Sequence, residues 1–269
     1  MIIDFHTHIF PDKIAKKTID YLSVKGGIPP YSDGSVQGLL SEMKKGNVDI
    51  SVTLPVLTSP TQFDSVNRYA ADINRTFSEG ERKLISFAGI HPDCEDIEGK
   101  MSWIKDNGFL GVKLHPDYQE TFFNDEKYIK IINCAKENDL IVVTHAGVDG
   151  AYRGLPVKCT PIIAKEVIKK TGYSKLVLAH MGANEMPEDV IELLCGEDVY
   201  LDTAYVLRYL GEEKFKKILR LHGEDKILFA SDSPWSGVKN DIDIIKSYSL
   251  GKRTEDKLFF ENAKGLLGI

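Results

Sequence analysis

The sequence predicts a single (β/α)8 barrel spanning residues 1–269, an α/β fold of one domain. Three observations predict it. Eight short apolar runs recur along the chain, and each is followed by a helix-type segment. The runs are continuous, not alternating, which is the pattern of parallel strands covered on both faces by helices. The length also fits, since such barrels take about 250 residues. The rival is an open doubly wound sheet, whose mark is a glycine-rich phosphate turn after an early strand. Here the first turn carries His-x-His instead.

The first run, Ile2, Ile3 and Phe5, is long enough for a buried strand and too short for a helix. His6 and His8 follow at spacing i, i+2, so they project from one face of that strand. Two neutral imidazoles placed this way can share one divalent cation. A helix is expected over 12–24, then a Gly/Pro-rich loop from Gly26 to Gly34. Ser35 reads as the N-cap of a helix over 36–46, with Gly46-Asn47 as its stop.

The second strand is 49–54, ended by Pro55, and a helix follows over 63–78. The third, 84–90, runs into His91-Pro92 and a helix over 96–106. The fourth, 110–114, ends at His115-Pro116 before a helix over 125–137. The fifth, 140–144, ends at His145, and Pro161 opens a helix that Gly172 stops. The sixth, 175–179, ends at His180, with a helix over 187–194. The seventh is 199–203, with a helix over 212–221; the eighth, 226–231, ends at Asp232. Helices over 239–247 and 253–266 close the chain.

A barrel of this kind gathers the C-terminal ends of its strands on one face, where such folds carry their active sites. His6, His8, His91, His115, His145, His180 and Asp232 all stand there, and of the 7 histidines only His222 does not. Together they read as a metal centre. A net charge of -6 without a clustered basic surface argues against nucleic acid as a partner. The 4 cysteines show no C-x-x-C spacing and read as buried free thiols in a reducing compartment. No apolar run approaches the ~20 residues of a membrane span. The N-terminus enters a strand at once, without a leader pattern, so a cytoplasmic protein is expected.

The motifs Asp4-Phe5-His6-Thr7-His8, Gly111-Val112-Lys113-Leu114-His115-Pro116, Thr144-His145-Ala146-Gly147, Ala179-His180-Met181-Gly182, Ser231-Asp232-Ser233-Pro234-Trp235 and Glu261-Asn262-Ala263 are carried in order along the whole chain. In this the sequence resembles the amidohydrolase superfamily, within it the amidohydrolase 2 group that includes aminocarboxymuconate-semialdehyde decarboxylase-like enzymes. The resemblance implies a divalent metal, usually zinc, held by His6, His8, His145 and Asp232, with manganese or iron as substitutes. It implies His180 beside the metal as a base or second ligand. Some superfamily members carry a carboxylated lysine on the fourth strand bridging two metals, a place Lys113 occupies; in this group one ion is the usual arrangement.

The expected chemistry is hydrolysis of a C–N or C–O bond in a small substrate by metal-activated water, with Asp232 and His180 as the catalytic acid–base groups. The alternative is a metal-dependent nonoxidative decarboxylase of an aromatic or muconate-type acid, which an arginine facing the metal would favour. A third reading is a barrel that binds metal or ligand without turnover. His91, His115, Arg153, Tyr205 and Trp235, with Asp117 and Tyr118, are the candidates for lining the pocket; Arg153 has the planar fork that suits a carboxylate. The expected partner is a small molecule, not nucleic acid or a membrane, and the chain is compatible with a homo-oligomer.

Overall fold

The computed structural model describes residues 1–269. Its strands are β1 (Ile3–Thr7), β2 (Ile50–Thr53), β3 (Lys83–Ser86), β4 (Ala88–Gly89), β5 (Gly111–Leu114), β6 (Ile141–Thr144), β7 (Leu176–Leu178), β8 (Tyr200–Asp202) and β9 (Ile227–Leu228). All pair in parallel, in the order β1-β2-β3 and β4-β5-β6-β7-β8-β9. The seam between last and first strands is closed by backbone bonds. Phe5 N donates to Phe229 O at 2.9 Å and Asp232 N to His6 O at 2.8 Å, and Thr7 bridges Ser233. The expected barrel is therefore the observed one.

The expected third strand, 84–90, is broken. Phe87 separates β3 from β4, and its N–H donates to Thr53 O at 2.9 Å. Its ring turns inward onto Phe5, edge to face at 6.0 Å. Gly111 leaves the space that ring occupies, because a Cβ there would lie 2.5 Å from it. The aromatic plug takes the place of unbroken ladder pairing at that point.

Two apolar layers result. Ile3, Phe5, Val52, Phe87, Val143, Val177 and Leu228 form a buried cluster with Ala263, Leu266 and Leu267 from the last helix. The opposite strand faces, including Val112, Leu114, Val142, Leu178 and Leu201, join a larger cluster with the surrounding helices. Burial on both faces explains why the strands read as continuous apolar runs.

The helices are α1 (Asp12–Gly26), α2 (Val36–Gly46), α3 (Phe63–Thr76), α4 (Ile97–Asp106), α5 (Glu126–Glu137), α6 (Pro161–Thr171), α7 (Pro187–Leu193), α8 (Leu207–Leu210), α9 (Glu212–His222), α10 (Val238–Ser247), α11 (Lys252–Asp256) and α12 (Asn262–Leu267). Ser35 caps α2 through Gly38 N, and Asn47 ends it at φ 53°. Thr160 caps α6, and Gly172 ends it at φ 54°. The closing helix expected over 253–266 is α11 and α12 joined by a π-helical turn, Lys257–Glu261. The short α8 had no sequence signal. All 4 cysteines are free thiols, Cys94, Cys134 and Cys159 buried and Cys195 partly so. No helix is long and apolar enough to cross a membrane.

Candidate metal centre

Residues at the two ends of the chain meet at the barrel mouth. His6 Nε2 lies 3.2 Å from His8 Nε2, and Asp232 Oδ1 lies 3.5 Å and 3.1 Å from those two atoms. Ions of this class bind imidazole nitrogen and carboxylate oxygen at about 2.0–2.2 Å, which places tetrahedral ligands about 3.3–3.6 Å apart. The three separations, 3.1 to 3.5 Å, lie close to that range.

Hydrogen bonding on the far side of each ring decides what faces inward. His6 Nδ1 donates to Asp202 Oδ2 at 2.8 Å and His8 Nδ1 to Leu54 O at 2.8 Å. Both Nε2 atoms therefore present lone pairs. Burial, and after it the Lys113 charge, holds His6 well below the usual histidine range, so the ring is neutral as a metal ligand must be. Two lone pairs and a carboxylate oxygen converge with one donor at hand, Lys113 Nζ, 3.0 Å from His6 Nε2. This donor set fits a divalent cation.

Asp202 had no part in the sequence expectation. It ends β8, is fully buried, and also accepts from the N–H groups of His180 and Ala204 at 2.9 and 3.1 Å. It thus sets His6 and the turn carrying His180 at once. The signal that found the histidines, a polar residue ending an apolar run, also marks Asp202. Asp4 does the same for the seam, taking Ser231 N at 2.9 Å and Ser231 Oγ at 2.6 Å. Burial pushes Asp4 up to about 7. Lys113 is buried in the interior and brought down to about 8 by desolvation, against the opposing pull of Asp202 and Asp232.

His180 and Asp232 stand at φ 62° and 68°, in left-handed backbone that turns each side chain back over the mouth. Such conformations cost about 1–3 kcal/mol each and are held only where surrounding contacts over-determine them. His180 Nδ1 donates to Ala204 O at 3.0 Å, and its Nε2 faces His145 Nδ1 at 2.9 Å. His145 therefore does not fall within the His6, His8, Asp232 cluster. It stacks on His115 with centroids 4.2 Å apart and planes 9° from parallel, and groups with His115 and Asp149. Burial, then the neighbouring His115 and His180, lowers His145 well below the usual range. Asp117 faces it from the loop after β5, raised to about 6 by burial and then by Asp149.

The remaining candidates are spread around the rim. His91 is buried and accepts from Asp93 N at 3.1 Å, a turn contact at its own strand end. Arg153 is exposed, and both prongs of its fork are taken by Glu185. Tyr205 lies under the guanidinium of Arg208, 4.2 Å from its carbon, and Trp235 O accepts from the same arginine at 2.5 Å. On the opposite rim, Lys25 from α1 sits over the rings of Tyr118 and Tyr152 at 5.0 and 4.1 Å.

A parallel barrel with a His/His/Asp cluster across its closing seam defines a class of metal-centred enzymes. The chain belongs to the amidohydrolase family, whose model matches residues 3–269. No curated protein matches it. Solved structures share the fold over the whole length. A 2,6-dihydroxybenzoate decarboxylase complexed with 2,6-dihydroxybenzoate is 14% identical, with TM-score 0.74, covering 100% of this chain and 99% of that one. A putative amidohydrolase from Staphylococcus aureus is 18% identical, with TM-score 0.72 and the same coverage. A dihydroxybenzoic acid decarboxylase from Polaromonas, with bound manganese and the inhibitor 2-nitroresorcinol, is 13% identical, with TM-score 0.72, covering 99% of this chain and 96% of that one.

Proposed function

We propose that this chain is a divalent-metal-dependent, nonoxidative decarboxylase of a small aromatic carboxylic acid. The observation that carries the reading is the triangle of His6 Nε2, His8 Nε2 and Asp232 Oδ1, with the buried Lys113 ammonium 3.0 Å from His6. Three protein ligands leave coordination open for substrate oxygens, and a buried ammonium beside them favours an anionic substrate. The whole-length likeness to hydroxybenzoate decarboxylases, one of them described with manganese, supports the substrate class and makes manganese as good a candidate as zinc.

His6, His8 and Asp232 would hold the ion, and His145, which the family resemblance also offers as a ligand, stands beside them through its hydrogen bond to His180. An ion held there would supply positive charge to bind the acid's oxygens and draw electron density from its ring. When the carboxylate leaves as carbon dioxide, the bonding pair stays on the ring carbon, which then takes a proton. Burial raises Asp232, but the His8 hydrogen bond and the nearby His6 lower it more, so it is ionised and can hand over that proton only after taking one from a substrate hydroxyl, which solvent then re-protonates. His180 can hold one only at Nε2, because Nδ1–H is committed to Ala204 O. The bidentate pairing of Arg153 with Glu185 leaves Lys113 as the buried cation for the carboxylate.

Hydrolysis of an amide, ester or lactone is the second reading. What favours it is the same Asp232 carboxylate beside both imidazoles, able to take a proton from attacking water. A panel assay on manganese- and zinc-loaded protein separates the two. Decarboxylation predicts carbon dioxide from a dihydroxybenzoate and, in heavy water, deuterium on the ring carbon that lost it. Cleavage of amides or lactones, with no carbon dioxide from any aromatic acid, would overturn it in favour of hydrolysis.

A further inference from the structure

Beside the candidate metal centre, the turns after β7 and β8 part around a cavity of about 220 Å³. Its lining runs from the buried His180 out to the exposed Glu188 and Lys214. The His180 ring has its centroid 5.5 Å from that of His6, so one imidazole separates the cavity from the cluster at the seam.

The two turns that wall the cavity are held in uncommon backbone. His180, Met181 and Glu185 on one side stand at φ 62°, 53° and 61°, and Tyr205 on the other at 67°. Asp202 ties the turns together. Its carboxylate accepts from His180 N and Ala204 N, and its backbone oxygen accepts from Met181 N at 2.6 Å. Left-handed residues other than glycine cluster where a chain is shaped around a ligand. Loops free to relax would close this space with their own side chains.

What the cavity offers is apolar, because its polar groups are already paired. Glu185 takes both prongs of Arg153, and Glu188 holds Lys214 at 2.6 Å. The Tyr209 hydroxyl donates to Asn184, and His180 Nδ1 to Ala204 O. There remain the side chains of Met181, Ala183, Pro187, Val206 and Leu210. A charged group placed among them would have to break one of those pairs or stay unpaired, at a cost a hydrocarbon group does not meet. A cavity of about 150 Å³ already holds a benzene ring. This one has room for a short alkyl chain or an aryl group.

We propose that the cavity is a specificity subsite for an uncharged alkyl or aryl substituent carried on the substrate ring. The substituent leaves the ring beside His180 and lies between the two turns, while the polar end of the substrate sits at His6, His8 and Asp232. The assignment rests on the aromatic-acid reading for what the substituent is attached to; the cavity and its apolar lining stand without it.

The probes are resorcinol, which is 2,6-dihydroxybenzoate without its carboxylate, and resorcinols carrying a methyl to butyl chain at each ring position in turn. None has a carboxylate to lose, so affinity is read calorimetrically, without turnover, on the manganese-loaded full chain. In one positional series each methylene is expected to tighten binding by about 4-fold until the cavity is full. Ala183→Leu on the turn after β7 and Leu210→Phe on α8 fill the cavity from opposite walls. Each is expected to flatten that series, whatever it does to resorcinol itself. Thermal unfolding confirms that the variants are folded, and either one suffices. A series flat at every position in wild type, or equally steep in the folded variants, would overturn the subsite. Resorcinols that do not bind at all count against the aromatic-acid reading, and xenon-pressurised crystals then decide on the cavity. A xenon site among Met181, Val206 and Leu210 upholds it as an apolar subsite, and its absence overturns it.

Discussion

The two histidine clusters at the barrel mouth are built from the same residue types and finished in opposite ways. In the first, each imidazole is braced from behind, His6 by Asp202 and His8 by Leu54 O, and its free nitrogen points at Asp232. All three members come from the ends of β1 and β9, next to the backbone bonds that close the barrel. In the second, the imidazoles come from strand ends but both carboxylates come from loops, and two buried atoms face each other unpaired. Metal ligands are conditioned by what holds their far side, and the first cluster has that support built into the strands.

Substitutions sharpen this contrast, beginning with the largest effect. Asp232→Asn removes the carboxylate that the proposed metal binding and proton relay both use. Turnover is expected to fall by about 10²–10⁴-fold or more, the scale of a lost acid–base group, with far-UV circular dichroism unchanged. Asp202→Asn leaves the ligands in place and removes the brace behind His6. Metal affinity at the first cluster should weaken by about 10–100-fold by competition with a chromophoric chelator. Unchanged affinity would show that His6 needs no brace from Asp202.

Gly147→Ala acts on the second cluster through the backbone. The added Cβ meets Asn184 N at 2.1 Å and the φ of 84° strains any side chain. Destabilisation of about 1–3 kcal/mol is expected in urea unfolding, with the loop carrying Asp149 displaced.

Burial also gives the seam a pH dependence. Asp4 is raised from 3.8 to about 7 by burial. A group raised on folding contributes stability that is present below its unfolded value and lost as pH climbs through its folded value. Asp4→Asn removes that loss. The stability difference between variant and wild type should therefore move in the variant's favour from pH 4 to pH 8, by at most about 4 kcal/mol. A flat difference would show that Asp4 ionises without cost. Smallest of all, Arg153→Ala should change stability by under about 1 kcal/mol, because the Glu185 pair is exposed, and should leave turnover near wild type if Lys113 holds the carboxylate.

Much of this was legible in the sequence because strand ends in a parallel barrel converge whatever the loops do. His6, His8, His115, His145, His180 and Asp232 each follow an apolar run, and the structure brings them to one mouth. Caps were legible for the same local reason: Ser35, Asn47 and Gly172 act on their own helix ends. The division of the histidines into two clusters was not. It depends on ring orientation, and that is set by acceptors such as Asp202, 196 residues from His6 in sequence. The break at Phe87 was hidden because an inward aromatic inside an apolar run looks like more strand. The capture of Arg153 by Glu185 follows from loop geometry, which residue type does not reveal.

The central claim is that the two ends of the chain share one cation, and anomalous diffraction at the manganese edge from crystals grown with manganese tests it directly. The account predicts a peak bonded at about 2.0–2.2 Å to His6 Nε2, His8 Nε2 and a carboxylate oxygen of Asp232. Crystals saturated with manganese that show no peak among those three atoms would contradict it.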